Sequence, residues 1–329
     1  MNSNQVAQGI PRQIILFISV LTILVVIPFF IQSPYFRHVF IFIFIYVTLG
    51  SSWNIIGGYA GQWALGHAAF FGIGAYTSTL LLLHFDLTPW VGMVAGGLVA
   101  IAVSLCIGYP CFKLRTHYFA MATVTFGEIM RLIFLWLPFT GGAGGLILPV
   151  NKIPSAYHML WASKVPYYYI GLFFTTGTLF LTYQIHRSKL GMYLKAIKQD
   201  EEAARNLGID ATKYKLAAMG MSAFLTALMG SLYAQYIQYI DPEAVMPFML
   251  SLFMILIPIF GGLGTIWGPV LGGVILTPVA EITRVLLGGK GGGLDMLIYG
   301  IVIIIFSLYF PRGLITYIKN LKRLGQLAS

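Results

Sequence analysis

The chain has 329 residues, of which 58% are apolar and 9% charged, with a formal net charge of +10. A soluble domain carries roughly 25% charged residues, so the composition excludes an ordinary soluble enzyme, a disordered chain and a disulfide scaffold, and describes a polytopic integral membrane protein. The basic residues lie in gaps between apolar runs, where they orient a membrane protein and do not serve nucleic acid.

A helix needs about 20 residues, at 1.5 Å rise each, to cross roughly 30 Å of hydrocarbon. In chain order the segments that meet or approach this are 13–31, 38–56, 67–83, 88–111, 118–138, 165–185, 214–240, 245–264, 269–287 and 294–311. The predicted fold class is an all-α integral membrane protein, a polytopic bundle of about 10 transmembrane helices in one domain over residues 1–329. The run after Arg12 is long enough to span and carries no small-residue cleavage site after it, so it reads as a retained first span. With the N-terminus inside, the inside loops hold Arg12, Lys113, Arg115, Arg187, Lys189, Lys195, Lys198, Arg205, Lys213, Lys215, Arg312, Lys319, Lys322 and Arg323. The outside loops hold only Arg37, Lys152, Lys164 and Lys290. That bias puts both termini in the cytoplasm and makes the number of spans even. Cys106 and Cys111 share one apolar stretch and read as small apolar residues.

Glycines Gly57, Gly58, Gly61, Gly66, Gly72 and Gly74 crowd the second and third spans, and Gly92/Gly96 and Gly268/Gly272 have small-xxx-small spacing. They indicate either close helix packing or short and broken helices beside a pathway, since irregular backbone at membrane depth survives only against protein or water. The segments Gly61–Gly66 and Gly262–Gly268 share a loose likeness. Inside the fifth span Glu128 and Arg131 are spaced to pair on one face, as are Glu281 and Arg284 in the ninth. Each pair is either self-neutralised between helices or a polar contact of a pathway. His67 opens the third span and reads as a cap or packing residue more readily than as a proton relay. The other histidines have no metal spacing.

Two loops exceed simple connectors. The outside loop, 139–164, carries Pro149, Pro154 and the cluster Gly141–Gly145, suited to a flexible loop or to an outer gate and docking surface. The inside loop, 186–215, mixes bases with Asp200, Glu201, Glu202 and Asp210. Residues Leu194 to Leu207 predict one helix, with Lys198/Glu202 and Glu201/Arg205 at i,i+4 spacing and Gly208 at the C-terminal cap. Ile197, Ala204 and Leu207 form one apolar edge, suited to a solvated helix or to docking in a groove of a cytosolic partner. Glu202-Ala203-Ala204, three residues, then Gly208 matches the EAA-x3-G motif of ABC importer permeases.

The chain resembles the permeases of Liv-type ABC importers for branched-chain amino acids, the LivM-type subunits in particular. The resemblance rests on Gly58 to Phe70 with Gly74-Ala75-Tyr76, on Leu114 to Ala120 with Phe126 to Arg131 and Thr140 to Leu146, on Gly191 to Lys215, and on Phe260 to Gly272, all in family order. Trp63 stands where that family carries a small polar residue, and Thr116-His117 replaces its Gly-Asp. The resemblance implies a type II-like importer permease. It implies that Lys198, Glu201, Glu202, Ala203, Ala204, Leu207 and Gly208 couple to an ATPase, and it points to Gln62, Trp63, His67, Glu128, Arg131, Thr140, Gly141 and Gly142 as pathway or gate. It implies a LivH-type second permease, two ABC ATPases of LivF and LivG type, a periplasmic substrate-binding protein and an inner-membrane location. No cofactor is expected on this chain and no catalytic residue is assigned. It has no G-x4-G-K-[ST] phosphate loop, Lys290 in Gly289-Lys290-Gly291 not being one, so ATP and Mg belong to the partners. Relatives of such permeases carry urea, short amides or aromatic acids, which leaves substrate open. An ion-coupled secondary transporter would need an ionisable relay over several spans, and a respiratory subunit would need paired histidines within spans.

Overall fold

The computed structural model describes residues 12–30, 33–114, 116–148 and 155–287, together with residues 300, 301, 304, 313–315 and 317. The helices in order are α1 (Arg12–Phe30), α2 (Pro34–Asn54), α3 (His67–Phe85), α4 (Pro89–Cys111), α5 (Thr116–Trp136), α6 (Val165–Arg187), α7 (Lys189–Gln199), α8 (Glu201–Asn206), α9 (Ala211–Ile237), α10 (Pro242–Val245), α11 (Phe248–Gly261) and α12 (Gly268–Leu287). Two short strands, β1 (Leu146–Ile147) and β2 (Tyr239–Ile240), pair antiparallel. Prolines open α2, α4, α6 and α10, where the missing N–H costs nothing.

Among the described residues, six stretches are long and apolar enough to cross a membrane: Pro34–Tyr59, His67–Phe85, Pro89–Cys111, His117–Trp136, Ala211–Ile237 and Pro242–Gly261. Helices α1, α6 and α12 overlie three further predicted segments, and Leu21–Phe30 of α1 is a further, shorter apolar stretch. The predicted span 294–311 lies outside the described residues, apart from Gly300, Ile301 and Ile304. The segment predicted as a helix over 245–264 holds α11, which starts after Pro247 and ends at the positive-φ turn of Gly262, while the short α10 ends at Val245, the segment's first residue.

Helix α2 is the hub. It packs against α6, α9, α11 and α12, and its residues from Val39 onward are almost all buried. Helices α3, α4 and α9 form the other half of the core. Small residues let them touch backbone to backbone. A Cβ on Gly96 would stand 3.1 Å from Gly74 Cα, and one on Gly230 would run into the Phe71 carbonyl. Gly272 lies equally close to the Ile257 carbonyl where α12 crosses α11. The spacing at Gly92/Gly96 and Gly268/Gly272 therefore serves close packing.

Breaks in the helices position the site. After Asn54, α2 widens into a π turn, Ile55–Tyr59, and the chain then runs non-helical from Ala60 to Gly66 before α3 begins. This irregular stretch is buried at Ala60, Gln62, Ala64 and Gly66. The turn between α11 and α12 packs against the π turn, at Gly58. At the opposite end, β1, β2, α10 and the glycine-rich turns after α5 form a cap.

Candidate functional site

The connection between α6 and α9 is built from capped helices. Ser188 Oγ accepts from Gly191 N at 3.3 Å and starts α7, and Asp210 Oδ1 accepts from Lys213 N at 3.0 Å and starts α9. The helix predicted over Leu194–Leu207 is broken at Asp200, whose backbone is extended (φ −156°, ψ 111°) and whose Oδ1 accepts from Ala203 N at 3.0 Å. Aspartate is worth more as a cap than inside a helix, so it starts a second helix, α8. Gly208 has φ +81° and ends α8 in the left-handed turn expected of it.

The break redirects the side chains. Ile197 and Ala204 are buried against Ala211, with Ile209 and Tyr214 alongside, so most of the predicted apolar edge is used within this chain. Leu207, at 81% exposure, is the part left outward, beside exposed Glu202, Ala203 and Asn206. Of the two spaced pairs, Glu201–Arg205 forms, at 2.8 Å. Lys198 does not turn to Glu202. Its Nζ donates to the Gly58 carbonyl at 2.8 Å, because the kink at Asp200 ends the helical register between them. Glu201 also pairs with the ammonium of Lys215, whose side chain is 3% exposed, and so pins α8 to α9.

Gly58 belongs to the π turn, and Gly264 lies directly against it: a Cβ on Gly264 would meet the Gly58 carbonyl at 3.0 Å. Asn54 fastens the two segments. Its Oδ1 accepts from Gly264 N at 2.8 Å and its Nδ2 donates to the Thr265 carbonyl at 2.9 Å. The second of the two glycine-rich segments with a loose sequence likeness thus packs on the π turn that leads into the first. Partial desolvation of the Lys198 ammonium where it meets the Gly58 carbonyl holds its pKa below the usual lysine value.

The remaining residues predicted for a pathway fall in two places joined by α5. Gln62 is buried. Trp63 is 40% exposed and stacks edge-on against buried Trp53, whose Nε1 donates to the Ala64 carbonyl at 2.7 Å. Leu65 N donates to Thr123 Oγ1 on α5 at 3.0 Å. His67 is buried, with Nε2 2.9 Å from Ser222 Oγ of α9, a cross-helix packing contact and not a cap of α3. Farther along α5, Arg131 pairs with Glu128 and also with Glu243 of α10, and both carboxylates are exposed. Beyond α5, Thr140 is buried and donates to the Leu137 carbonyl at 2.7 Å, while Gly141 and Gly142 take φ of +76° and +53° in the turns leading to β1. Glu281 reaches His38 of α2 at 3.9 Å, and His38 Nδ1 lies 2.6 Å from Tyr236 Oη. This cross-helix partner is not foreseen by the spacing to Arg284.

The sequence matches the family described as branched-chain amino acid transport system / permease component over residues 35–307, from the start of α2 to beyond α12. The chain belongs to this permease family. It is 30% identical to the high-affinity branched-chain amino acid transport system permease protein LivM of Salmonella typhimurium, over 82% of this chain and 68% of that protein. It is 29% identical to LivM of Escherichia coli over the same shares. It is 24% identical to the permease protein LivH of Salmonella typhimurium, over 82% of this chain and 92% of that protein. No solved structure matches the chain.

As a multi-pass membrane permease of an ABC importer, the chain has work for a contact that runs from a surface helix to a broken membrane helix. Asn54, Gly58, Gly264 and Lys215 are absent from the residues that the sequence singles out as a site. A polar Asn54 in an otherwise apolar span, just before Gly57-Gly58, is the signal that points to the first two. Lys215 carries no such signal, because its partner Glu201 lies 14 residues away in sequence.

Proposed function

We propose that this permease is the LivM-type subunit of an ATP-driven importer that carries branched-chain or other hydrophobic amino acids from periplasm to cytoplasm. A LivH-type permease completes the pathway, two ATPases of LivF and LivG type sit beneath, and a periplasmic binding protein delivers substrate. The ATPases hold ATP and Mg, and this chain moves substrate without catalysing a reaction. The bias of basic residues supports an inner-membrane protein with both termini and the α6–α9 connection in the cytoplasm. The names of the LivM and LivH relatives support the substrate class.

The observation that carries the reading is α8. It is short, capped by Asp200, fixed to α9 through Glu201 and Lys215, and it turns Glu202 and Leu207 outward. That is a rigid ridge suited to a groove on a soluble partner, with Ala203 exposed on it and Ala204 fixing its back. Exposed Glu128 and Glu243 with Arg131 support a pathway or a permease–permease boundary along α5, since ionised groups on a membrane helix face protein or water in preference to lipid. Gln62, Trp63 and His67 serve the inner half of that route, and Thr140, Gly141 and Gly142 its outer gate.

Gentle extraction of the tagged chain from its native membrane tests the assembly. Two ATPases and a second permease are expected to come with it, and a chain recovered alone from membranes that keep other importers intact overturns the proposal. Glu202→Lys is expected to leave the complex assembled and to abolish substrate-stimulated uptake. Uptake at the parental rate in that variant removes the coupling role of α8.

A further inference from the structure

The last carbonyls of a helix lack partners within the helix and carry partial negative charge, so they attract a cation. At the broken end of α2 that cation comes from outside the helix, as the Lys198 ammonium on the Gly58 carbonyl, across 140 residues of sequence. The approach needs glycine at Gly61 (φ +71°), where a Cβ would stand 2.8 Å from Lys198 Cγ, while Gly264 (φ +74°) lies close to the Gly58 carbonyl and within ordinary contact of Lys198 Nζ. Asn54 then joins the Gly58 turn to Gly264 and Thr265, from which α11 and α12 diverge. One lysine on α7 therefore holds a point where α2, the Ala60–Gly66 segment and the α11–α12 turn meet. Helix α7 is itself tied to α8 through Ile197 and Ala204.

From this junction we infer that Lys198 is a positioning residue for transport: an inner latch whose bond to the Gly58 carbonyl carries displacement of α7 and α8 to both broken-helix turns at once. The inference rests on α7 and α8 being the ATPase-coupling element. The bond to Gly58 is a fixed, directional contact, unlike a solvated lysine on a helix face. Pulling α7 away breaks it and leaves the α2 end uncapped, while pushing α7 inward moves Gly58 and, through Asn54, Gly264.

The test uses the assembled importer in lipid. Its readout is the ratio of substrate-stimulated to unstimulated ATP hydrolysis, with uptake measured alongside. Lys198→Met keeps the stem and removes the donor. It is expected to lower the ratio about tenfold, the scale of an ordinary coupling energy, with Lys198→Arg retaining most of it. Gly61→Ala is expected to act like Lys198→Met, because its Cβ displaces the lysine stem. A ratio unchanged in Lys198→Met, in a complex whose Glu202→Lys variant is uncoupled, overturns the latch and leaves the coupling element standing. If Glu202→Lys is itself fully coupled, the proposed role of α8 fails first.

A second measurement needs no variant. Reductive methylation of the parental complex, read by mass spectrometry, is expected to modify Lys198, whose ammonium is engaged by the Gly58 carbonyl, more slowly than Lys189 and Lys213, although all three residues are exposed. The protection of Lys198 is expected to change when a non-hydrolysable ATP analogue binds. Lys198 labelling as fast as these two in every nucleotide state overturns the latch.

Discussion

Asp200 is a residue whose chemistry outweighs its neighbourhood. It stands within a stretch of good helix formers, yet its carboxylate accepts from Ala203 N and turns one helix into two. Asp200→Ala removes that cap, at a cost of about 1 kcal/mol. We expect it to raise amide exchange in α8 while leaving α9 protected, measured by hydrogen exchange in detergent. Equal protection of α8 in both proteins would show that the break is held by something other than the cap. Lys215 gives a second prediction at this scale. Its ammonium is buried and Glu201 is its carboxylate partner, so Glu201→Gln leaves a buried charge without compensation, whereas Lys215→Met removes the charge itself. Glu201→Gln should lower the melting temperature more than Lys215→Met, and the reverse order would mean that the lysine stem, not the pair, holds α9. Local pairing such as Glu201–Arg205 was legible in the sequence because helical spacing reports it. Lys198–Gly58 and Arg131–Glu243 were not, because their partners come from other elements 140 and 112 residues away.

Among the elements, long apolar runs made the spans easy to read and the glycines hard. The same residue type does opposite things along this chain. Gly230 and Gly272 leave room for a neighbouring carbonyl, Gly61 and Gly264 take a backbone conformation with positive φ, and Gly177 on α6 meets nothing within 4 Å. Composition cannot separate these uses; only the neighbour can. Gly230→Val is therefore expected to abolish folded protein, read as loss of the monodisperse peak after extraction. Gly177→Ala should be neutral or stabilise by up to about 1 kcal/mol, since alanine is the better helix former. Gly208→Leu belongs with the strained class. Its site is open, with nothing within 4 Å of an added Cβ, but φ is +81°. Its penalty is the backbone cost of about 1–2 kcal/mol, which should disorder the end of α8 without blocking expression. Pro247 shows the converse case: it lies near the start of the predicted span 245–264, and the helix begins just after it.

For the whole molecule, the described residues place polar contacts at two ends of an apolar bundle. One end joins α7, α8, the π turn and the α11–α12 turn. The other joins α10, β1, β2 and the glycine turns after α5. Helix α5 runs between them, touching the Ala60–Gly66 segment at Thr123 and Gly127 and holding α10 through Arg131. Glu243→Gln should loosen the α10 end selectively, so that a cysteine placed at exposed Ala244 reacts faster with an impermeant maleimide applied from outside. An unchanged rate would assign the Arg131 pairs to packing alone.

The bonds from Asn54 have a consequence for biosynthesis. The acceptor at Asn54 waits for a donor 210 residues farther along the chain, which at about 5–20 residues per second of synthesis is roughly 10–40 s. During that interval the α2 end lacks the partners of its amide, and until Lys198 is made, 140 residues on, it also lacks the donor to the Gly58 carbonyl, and lipid can satisfy neither. A nascent chain stopped short of Gly264 thus carries an exposed polar lesion inside the bilayer. Membrane quality-control proteases should clear such truncations while sparing the completed protein.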